Sequence, residues 1–267
     1  MTRIGRLFQR LRGEERRPAL VAYLTAGDPA LERTPSLVAA LERGGADLIE
    51  LGVPFSDPVA DGPVIQRASE RALEAGTTLR GVFETARRIR ASSEIPILLF
   101  TYLNPALRYG IEALARDAAA AGIDGCLFTD LSVEEAGGYV AAVRGQGLDT
   151  VFLAAPTSPP GRLRRVAEYS SGFVYLVSRT GVTGERDSLS GAVRPLVEAM
   201  RKITELPLAV GFGISKPEHA AAVGALADGV VVGSAFVRLV ERHGASPELE
   251  SRLEALAREL RAALPRK

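Results

Sequence analysis

Residues 47–63 read DLIELGVPFSDPVADGP, a short apolar run that contains one glutamate and then breaks into a loop rich in Gly, Pro and Asp. The apolar part is typical of a buried strand, and the part that follows is typical of the loop that ends one. Successive side chains of a strand point to opposite faces, so Leu48 and Glu50 share one face while Ile49 and Leu51 share the other. The stretch therefore predicts a buried strand that carries a carboxylate beside apolar neighbours.

Glu50 is the residue of this stretch that needs a physical explanation. A buried carboxylate is costly unless it is paired, hydrogen-bonded or protonated, so we expect its pKa to be raised towards neutrality. A group of that kind gives or takes a proton near physiological pH, which is the profile of a catalytic acid and base. A carboxylate that is satisfied by neighbouring backbone amides is the structural alternative.

Apolar runs of strand length alternate with segments of helical period from end to end of the chain. The predicted strands are Ala19–Leu24, Asp47–Leu51, Pro96–Thr101, Gly125–Phe128, Thr150–Ala154, Phe173–Val177, Pro207–Gly211 and Gly229–Val232. The predicted helices are Leu31–Arg43, Leu79–Arg90, Ile111–Ala121, Val133–Arg144, Pro160–Glu168, Ala192–Thr204, Pro217–Leu226 and Ala235–His243. Eight such repeats in 267 residues predict an α/β fold in one domain, a closed (β/α)8 TIM barrel. An open doubly wound sheet stays the alternative, because strand order is not visible in sequence.

Both ends of the chain predict an additional helix. Residues 1–16 place apolar side chains on one helical face, which predicts a helix closing the bottom of the barrel. Residues 246–264 predict an amphipathic C-terminal helix. The longest irregular stretches, residues 52–63, 103–110 and 178–190, each follow a predicted strand, at the end of the barrel where such enzymes carry their active sites.

Composition excludes several classes of partner. The formal net charge is +1, so no field is available to attract nucleic acid or a membrane surface, and no apolar segment is long enough to span a bilayer. The single cysteine, Cys126, lies in an apolar run and indicates a reducing compartment and a packing role. We therefore expect a soluble cytoplasmic protein.

Two glycine turns near the C-terminus predict a phosphate site. The stretch GFGIS, residues 211–215, follows the seventh strand, and Gly233 and Ser234 follow the eighth. Glycine lets the backbone approach a ligand, and the loops after strands seven and eight are the usual phosphate site of these barrels. Ser234 has an alternative role as a helix N-cap. The polar loop at residues 178–190 suits a lid over the phosphate, with a mobile surface loop as the alternative.

Elimination leaves the proton work to carboxylates. Three lysines offer almost nothing to a Schiff-base mechanism, and both histidines, His219 and His243, fall on predicted helices, so no metal site is predicted. Glu50 is then the leading candidate. The other candidates are the loop carboxylates Asp57, Asp61 and Asp130 and the phenol of Tyr175.

The run IELGVPFSDPVADGPVIQ, residues 49–66, resembles the signature of the tryptophan synthase alpha chain family. Further matches are TAGDP at 25–29, YLNP at 102–105, YLVSRTGVTG at 175–184 and GFGIS at 211–215. The resemblance implies retro-aldol cleavage of indole-3-glycerol phosphate to indole and glyceraldehyde 3-phosphate, without a cofactor in this chain. It also implies a beta-chain partner that carries pyridoxal phosphate and receives the indole, in an alpha2-beta2 heterotetramer.

The resemblance also implies roles for individual residues. Glu50 protonates indole C3 and takes the hydroxyl proton, Asp61 accepts from the indole N–H, and Tyr175 orients the substrate. The phosphate ligands implied by the family pattern are Gly184, Gly213, Gly233 and Ser234, with Thr183 closing the lid near Asp61. Candidates for the indole slot are Tyr23, Leu99 and Leu127, which would have the same character as ordinary core residues.

One departure from the family pattern concerns the loop after strand four. Family members commonly read Asp-Leu-Pro-x-Glu-Glu there, whereas this chain has Ser132 in place of the proline. Ser132 and Glu135 predict a capping box that preserves the helix start. If this loop contacts the partner chain, we expect the coupling between the two chains to differ from that in other family members. Two other functions stay open: a stand-alone lyase that releases free indole, and a non-catalytic phosphosugar-binding or scaffold subunit.

Overall fold

The computed structural model describes residues 1–177, 186–211 and 213–266. Its strands are β1 Ala19–Thr25, β2 Leu48–Gly52, β3 Ile97–Thr101, β4 Gly125–Phe128, β5 Asp149–Thr150, β6 Leu153–Ala154, β7 Val174–Val177, β8 Leu208–Gly211 and β9 Gly229–Val232. The helices are α1 Arg3–Arg10, α2 Thr34–Arg43, α3 Pro63–Glu74, α4 Leu79–Arg90, α5 Leu103–Tyr109, α6 Ile111–Ala120, α7 Gly137–Gly145, α8 Pro160–Tyr169, α9 Arg186–Arg201, α10 Pro217–Gly224, α11 Ser234–His243 and α12 Leu249–Ala262. A π-helical turn, Leu11–Glu15, follows α1.

The strands form one parallel sheet in the order β5-β4-β3-β2-β1-β9-β8-β7-β6. The strands at its two ends, β5 and β6, are separated in the chain by only Val151 and Phe152. Val151 N–H donates to the Cys126 carbonyl on β4 at 3.1 Å, and Tyr175 N–H on β7 donates to the Phe152 carbonyl at 3.1 Å. Residues 149–154 therefore act as one strand bonded on both sides. The sheet closes, and the predicted barrel is confirmed over the open-sheet alternative.

Two apolar layers fix which way each strand faces. Leu48 and Phe173 belong to a cluster inside the barrel, which Phe8 and its neighbours on α1 close from below. Ile49 and Leu51 belong to the cluster between the sheet and the surrounding helices. The predicted alternation along β2 is therefore confirmed, and it directs residue 50 into the barrel.

Most predicted elements agree with the structure to within a few residues, and the extra helix at each end is present. Two helices were not predicted: α5 lies in a stretch that was expected to be a loop, and α3 begins at the end of another such stretch and continues through residues that were assigned to no element. Pro63 is the first residue of α3. Proline is favoured there because the first N–H groups of a helix have no carbonyl partner within it, so the missing N–H of proline costs no hydrogen bond. Proline in these stretches therefore marked a helix start and not only a loop.

The expected helix start after β4 is wrong by several residues. The helix α7 begins at Gly137, with Ala136 as its N-cap residue and no side chain capping it. The Ser132 hydroxyl instead donates to the Glu134 carboxylate two residues away. Because this local bond occupies the serine side chain, the predicted capping box with Glu135 does not form.

Three aspartates at the amino ends of strands tie the bottom of the barrel together. Each accepts a backbone N–H from the neighbouring strand: Asp47 from Leu20 at 2.8 Å, Asp124 from Ile97 at 2.8 Å and Asp228 from Leu208 at 2.9 Å. Each is also paired with an arginine of the N-terminal segment: Asp47 with Arg17 at 2.7 Å, Asp124 with Arg3 at 3.1 Å and Asp228 with Arg12 at 3.1 Å. The N-terminal segment therefore joins strands that are distant in sequence.

Cys126 is buried, and burial raises the pKa of its thiol to about 12, in agreement with the predicted packing role. None of the helices in the described ranges is both long and apolar enough to cross a bilayer.

Replacing Asp124 by alanine is expected to destabilise the fold by about 2–4 kcal/mol, because it leaves the buried N–H of Ile97 without its acceptor and removes the carboxylate that pairs with Arg3 and Arg90. Chemical unfolding followed by circular dichroism measures the change. The matched control is Glu74→Ala, which removes an exposed carboxylate from the last turn of α3 and should leave the midpoint unchanged. Equal midpoints for Asp124→Ala and the wild type would contradict the bracing role.

Candidate active site

A cavity of about 480 Å³ opens at the carboxyl ends of the strands. Seven of the residues singled out from the sequence line it: Tyr23, Glu50, Asp61, Tyr175, Gly213, Gly233 and Ser234. A larger groove of about 870 Å³ lies at the opposite end, beneath α1. The carboxyl-end cavity, called the mouth cavity below, is the one that combines buried titratable groups with glycine turns.

Glu50 lies on β2 beside Tyr23 of β1 and Leu98 of β3, and it is only 1% exposed. Its Oε1 atom has no hydrogen-bond partner among the described residues. Burial raises the pKa of this carboxyl to about 8, because it removes the hydration that stabilises the charged form. The backbone-amide alternative does not hold for this oxygen. At neutral pH the group is mostly protonated.

Asp61 comes from the loop between β2 and α3 and is held by Tyr102. The Tyr102 hydroxyl donates to Asp61 Oδ2 at 2.9 Å and accepts the Ala60 N–H at 3.0 Å. Burial raises the pKa of Asp61 to about 6, and the bond from Tyr102 limits that rise. Asp61 therefore stays mostly ionised at neutral pH in the same cavity where Glu50 is mostly neutral. Two carboxyls in different environments are suited to different tasks.

Two tyrosines complete the walls of the mouth cavity, and each depends on a glycine. A β-carbon built on Gly211 would lie 2.1 Å from the Tyr175 hydroxyl oxygen, and one on Gly52 would lie 2.3 Å from that of Tyr23. Burial, together with the nearby carboxylates, raises the pKa of both phenols, so they stay protonated as hydrogen-bond donors. Glycine at the ends of β2 and β8 thus makes room for the rings.

The end of the cavity where the sequence predicts a phosphate site is formed by glycine turns. Gly213 has a φ of +76°, a left-handed conformation that glycine adopts without strain. Gly233 is the N-cap residue of α11, and no side chain caps this helix in the described part of the chain. Ser234 is therefore the first helical residue, not the N-cap that was the alternative for it. The first residues of α11 line the cavity, and the first N–H groups of a helix have no partner within it, which favours an anion.

The remaining sequence candidates lie elsewhere or outside the described residues. Thr183, Gly184 and most of the predicted lid, residues 178–185, fall outside them. Leu99 packs in the layer between the sheet and the helices, so the structure corrects its place in the indole slot. Leu127 lies inside the barrel but does not line the mouth cavity.

Two loop carboxylates also stay outside the cavity. The Asp57 carboxylate accepts the Ser56 hydroxyl at 2.5 Å, and the Asp130 carboxylate accepts the Leu103 N–H at 2.7 Å. Both bonds hold a loop in shape. Within the described ranges, no group of three or more His, Cys, Asp and Glu side chains is arranged to hold a metal ion.

Sequence reasoning missed three side chains that matter here: Phe100, Tyr102 and Arg238. Phe100 lines the cavity where Leu99 was expected, and its ring meets Tyr23 edge-on at 5.3 Å. The pairing of Glu50 with Leu98 places the even-numbered residues of β3 on the inner face, but that register is visible only in the structure. Tyr102 had been noted only as part of a family match, without a role.

Comparison with known proteins places these features in context. The sequence model of the family described as "Tryptophan synthase alpha chain" matches residues 8–265. The tryptophan synthase alpha chain of Solibacter usitatus is 69% identical over 98% of this chain and 97% of its own length, and that of Geotalea uraniireducens is 52% identical over 98% and 97%. The crystal structure of tryptophan synthase subunit alpha from Legionella pneumophila superimposes with a TM-score of 0.91 at 38% identity, covering 98% of both chains.

The variant Tyr102→Phe is expected to raise the pKa of Asp61 above its value of about 6, because it removes the hydrogen bond that favours the ionised carboxylate and leaves the burial unchanged. Carboxyl 13C NMR during a pH titration measures this. Tyr109→Phe, which removes a hydroxyl that donates to Asp117 on the surface, is the matched control and should not shift Asp61. A pKa that stays or falls in Tyr102→Phe would disprove the coupling.

Proposed function

Because the chain belongs to the tryptophan synthase alpha chain family, we propose that the mouth cavity is its active site and that Glu50 and Asp61 divide the proton transfers of the family reaction. That reaction is the retro-aldol cleavage of indole-3-glycerol phosphate to indole and glyceraldehyde 3-phosphate, and the indole passes to the beta subunit for tryptophan synthesis. The observation that carries the proposal is a buried Glu50 carboxyl whose Oε1 atom has no hydrogen-bond partner in the described part of the chain, in the same cavity as an ionised aspartate.

Glu50 is suited to both proton transfers of the cleavage. Its raised pKa of about 8 keeps it protonated at neutral pH, so it donates its proton to indole C3. The resulting carboxylate then takes the proton of the hydroxyl on the adjacent glycerol carbon. The O–H electron pair forms the aldehyde C=O, and the electrons of the breaking carbon–carbon bond return to the protonated ring. Glu50 ends the cycle protonated, as it began.

Asp61 stabilises the charge that this sequence creates. Protonation at C3 puts positive charge on the ring N–H, and an ionised carboxylate that accepts from that N–H offsets it. The pKa of about 6 keeps Asp61 ionised at neutral pH, and Tyr102 fixes its orientation. We assign Tyr175 to orienting the substrate beside Glu50, and Thr183 to closing the lid near Asp61.

The two halves of the substrate require different walls. Tyr23 and Phe100 offer ring surfaces for the flat indole, and Val231 adds an apolar wall. We assign the phosphate to the backbone N–H groups of Gly213, Gly233 and Ser234, joined by Gly184 according to the family pattern. This arrangement places the apolar ring near the carboxyls and the phosphate at the N-terminus of α11.

Membership of the family implies a beta-chain partner. We propose an alpha2-beta2 heterotetramer in the cytoplasm, with pyridoxal phosphate in the beta chain, no cofactor in this one, and classification as a lyase. Two apolar side chains on elements that follow β2 and β3 support an interface at the mouth: Val59 is 84% exposed and Leu107 is 59% exposed. Ser132, on the loop after β4, lies at the same end of the barrel, so its effect on coupling is part of this proposal.

Replacing Glu50 by glutamine is expected to lower indole release by about a thousandfold, since glutamine can neither give nor take the proton. Affinity for glycerol 3-phosphate should stay nearly unchanged, because the phosphate end is intact. A colorimetric indole assay and calorimetry measure the two quantities, with Glu112→Gln on the surface of α6 as the control. Indole release close to the wild-type rate in Glu50→Gln would refute the assigned role. Loss of both indole release and glycerol 3-phosphate binding would indicate misfolding, which circular dichroism detects.

Adding the beta chain is expected to accelerate indole-3-glycerol phosphate cleavage by this chain, because the partner covers the exposed apolar residues at the mouth and orders the site. Turnover is measured on the isolated chain and again on the mixture, with the mixture depleted of beta-chain substrate as a control. Unchanged turnover would identify a stand-alone lyase. No turnover in either sample would favour the non-catalytic scaffold.

A further inference from the structure

Arg238 is a cavity residue to which neither the sequence patterns nor the proposed mechanism gives a role. It lies on α11, four residues after Ser234, and lines the mouth cavity together with Gly213, Gly233 and Ser234. Residues four apart on a helix are neighbours on the same face. Arg238 therefore lies at the same end of the cavity as the first turn of α11.

Within the described part of the chain, Arg238 forms no ion pair. Glu241, the acidic residue of the same helix, is already paired with other arginines. Glu241 binds Arg67 at 2.6 Å and Arg71 at 3.4 Å, both from α3. Arg71 also holds Asp28 at 2.7 Å. Because Glu241 is engaged on the α3 side, it does not neutralise the charge of Arg238.

The charges of the residues that line the cavity indicate a role for Arg238 in binding an anion. Of the described residues that line it, Arg238 is the one cation, and the acidic groups are Glu50 and Asp61. A phosphorylated substrate brings up to two negative charges into a space that already holds the ionised Asp61. Backbone N–H groups alone supply only partial positive charge. A full positive charge at the phosphate end offsets this repulsion and draws the substrate in with its phosphate leading.

We infer that the Arg238 guanidinium binds the substrate phosphate directly and is the residue that makes this site prefer a phosphorylated substrate. The inference rests on the function proposed above for the mouth cavity. It assigns Arg238 to substrate binding and not to proton transfer, because the residue sits on α11, whereas the titrating carboxyls belong to β2 and the loop that follows it. A contact made equally in the ground state and the transition state changes KM and leaves kcat alone.

The variant Arg238→Gln keeps hydrogen-bonding groups and removes the charge. We expect the KM for indole-3-glycerol phosphate to rise about tenfold or more, the lower end of what a hydrogen bond to a charged group contributes, with kcat within about twofold of the wild type. Inorganic phosphate should lose affinity by a similar factor in calorimetry. Arg242→Gln is the matched control: it lies on the same helix, one turn further on, is exposed and does not line the cavity, and it should leave the KM unchanged.

The reverse condensation separates phosphate binding from chemistry. With indole and glyceraldehyde 3-phosphate, Arg238→Gln should be slower than the wild type at low aldehyde concentration; with indole and unphosphorylated glyceraldehyde, the two should be equal. Arg238→Lys, which keeps the charge, should recover most of the loss. Equal KM values for Arg238→Gln and the wild type, an equal effect of Arg242→Gln, or a loss with both aldehydes would each overturn the inference.

The outcome also distinguishes this inference from the function on which it rests. If the wild type cleaves the substrate and Arg238→Gln has the same KM and kcat, Arg238 does not bind the phosphate and the proposed function stands. A wild-type chain without turnover removes the proposed function, and the phosphate calorimetry then still decides whether Arg238 binds an anion: equal affinities for both proteins would overturn the inference there as well.

Discussion

The structure depends on one costly interaction, the burial of an unpartnered carboxyl inside a parallel barrel. Glu50 is 1% exposed, and its Oε1 atom has no donor among the described residues, so the folded protein holds it most easily as the neutral acid. The rest of the mouth cavity is consistent with that constraint. The neighbouring tyrosines stay protonated, the second carboxyl sits on a loop with a hydrogen bond of its own, and the proposed phosphate end is formed by Gly213, the first turn of α11 and Arg238.

The two ends of the barrel treat charge in opposite ways. At the amino ends, Asp47, Asp124 and Asp228 are each satisfied twice, by a backbone N–H of the adjacent strand and by arginines of the N-terminal segment or nearby helices. At the carboxyl ends, Glu50 and Arg238 lack such partners within the described ranges. Satisfied buried charges fix a structure, whereas unsatisfied ones are free to act on a ligand. The three buried aspartates at the amino ends therefore act in stability, whereas Glu50 and Arg238 are available to a ligand.

The sequence was sufficient for the repeat pattern and for the face that Leu48 and Glu50 share, because the periodicities of strands and helices are properties of neighbouring residues. It favoured the barrel but left the open sheet as an alternative, which the pairing of the strands excludes. It was insufficient wherever the outcome depended on how distant segments align. Leu99 and Phe100 alternate on β3, and only the pairing of Glu50 with Leu98 decides which of them faces inward. The bond from Tyr102 to Asp61 and the isolation of Arg238 from Glu241 arise from contacts between separate loops and helices, which no local pattern contains. The same holds for α3 and α5, whose prolines resembled loop residues.

The glycines beneath the two phenol rings have a consequence for how such a pocket changes in evolution. Gly52 and Gly211 face Tyr23 and Tyr175 so closely that a single methyl group at either position would overlap the hydroxyl of its partner ring. Each glycine and its tyrosine therefore form a linked pair, in which the first member sets how deep the second can sit. A larger residue in place of the glycine alone would overlap the ring. Replacing the glycine by a larger residue and the tyrosine by a smaller one together would conserve the volume of the cavity. The width of the chamber is thus encoded partly at two backbone positions that a survey of ligand contacts would overlook.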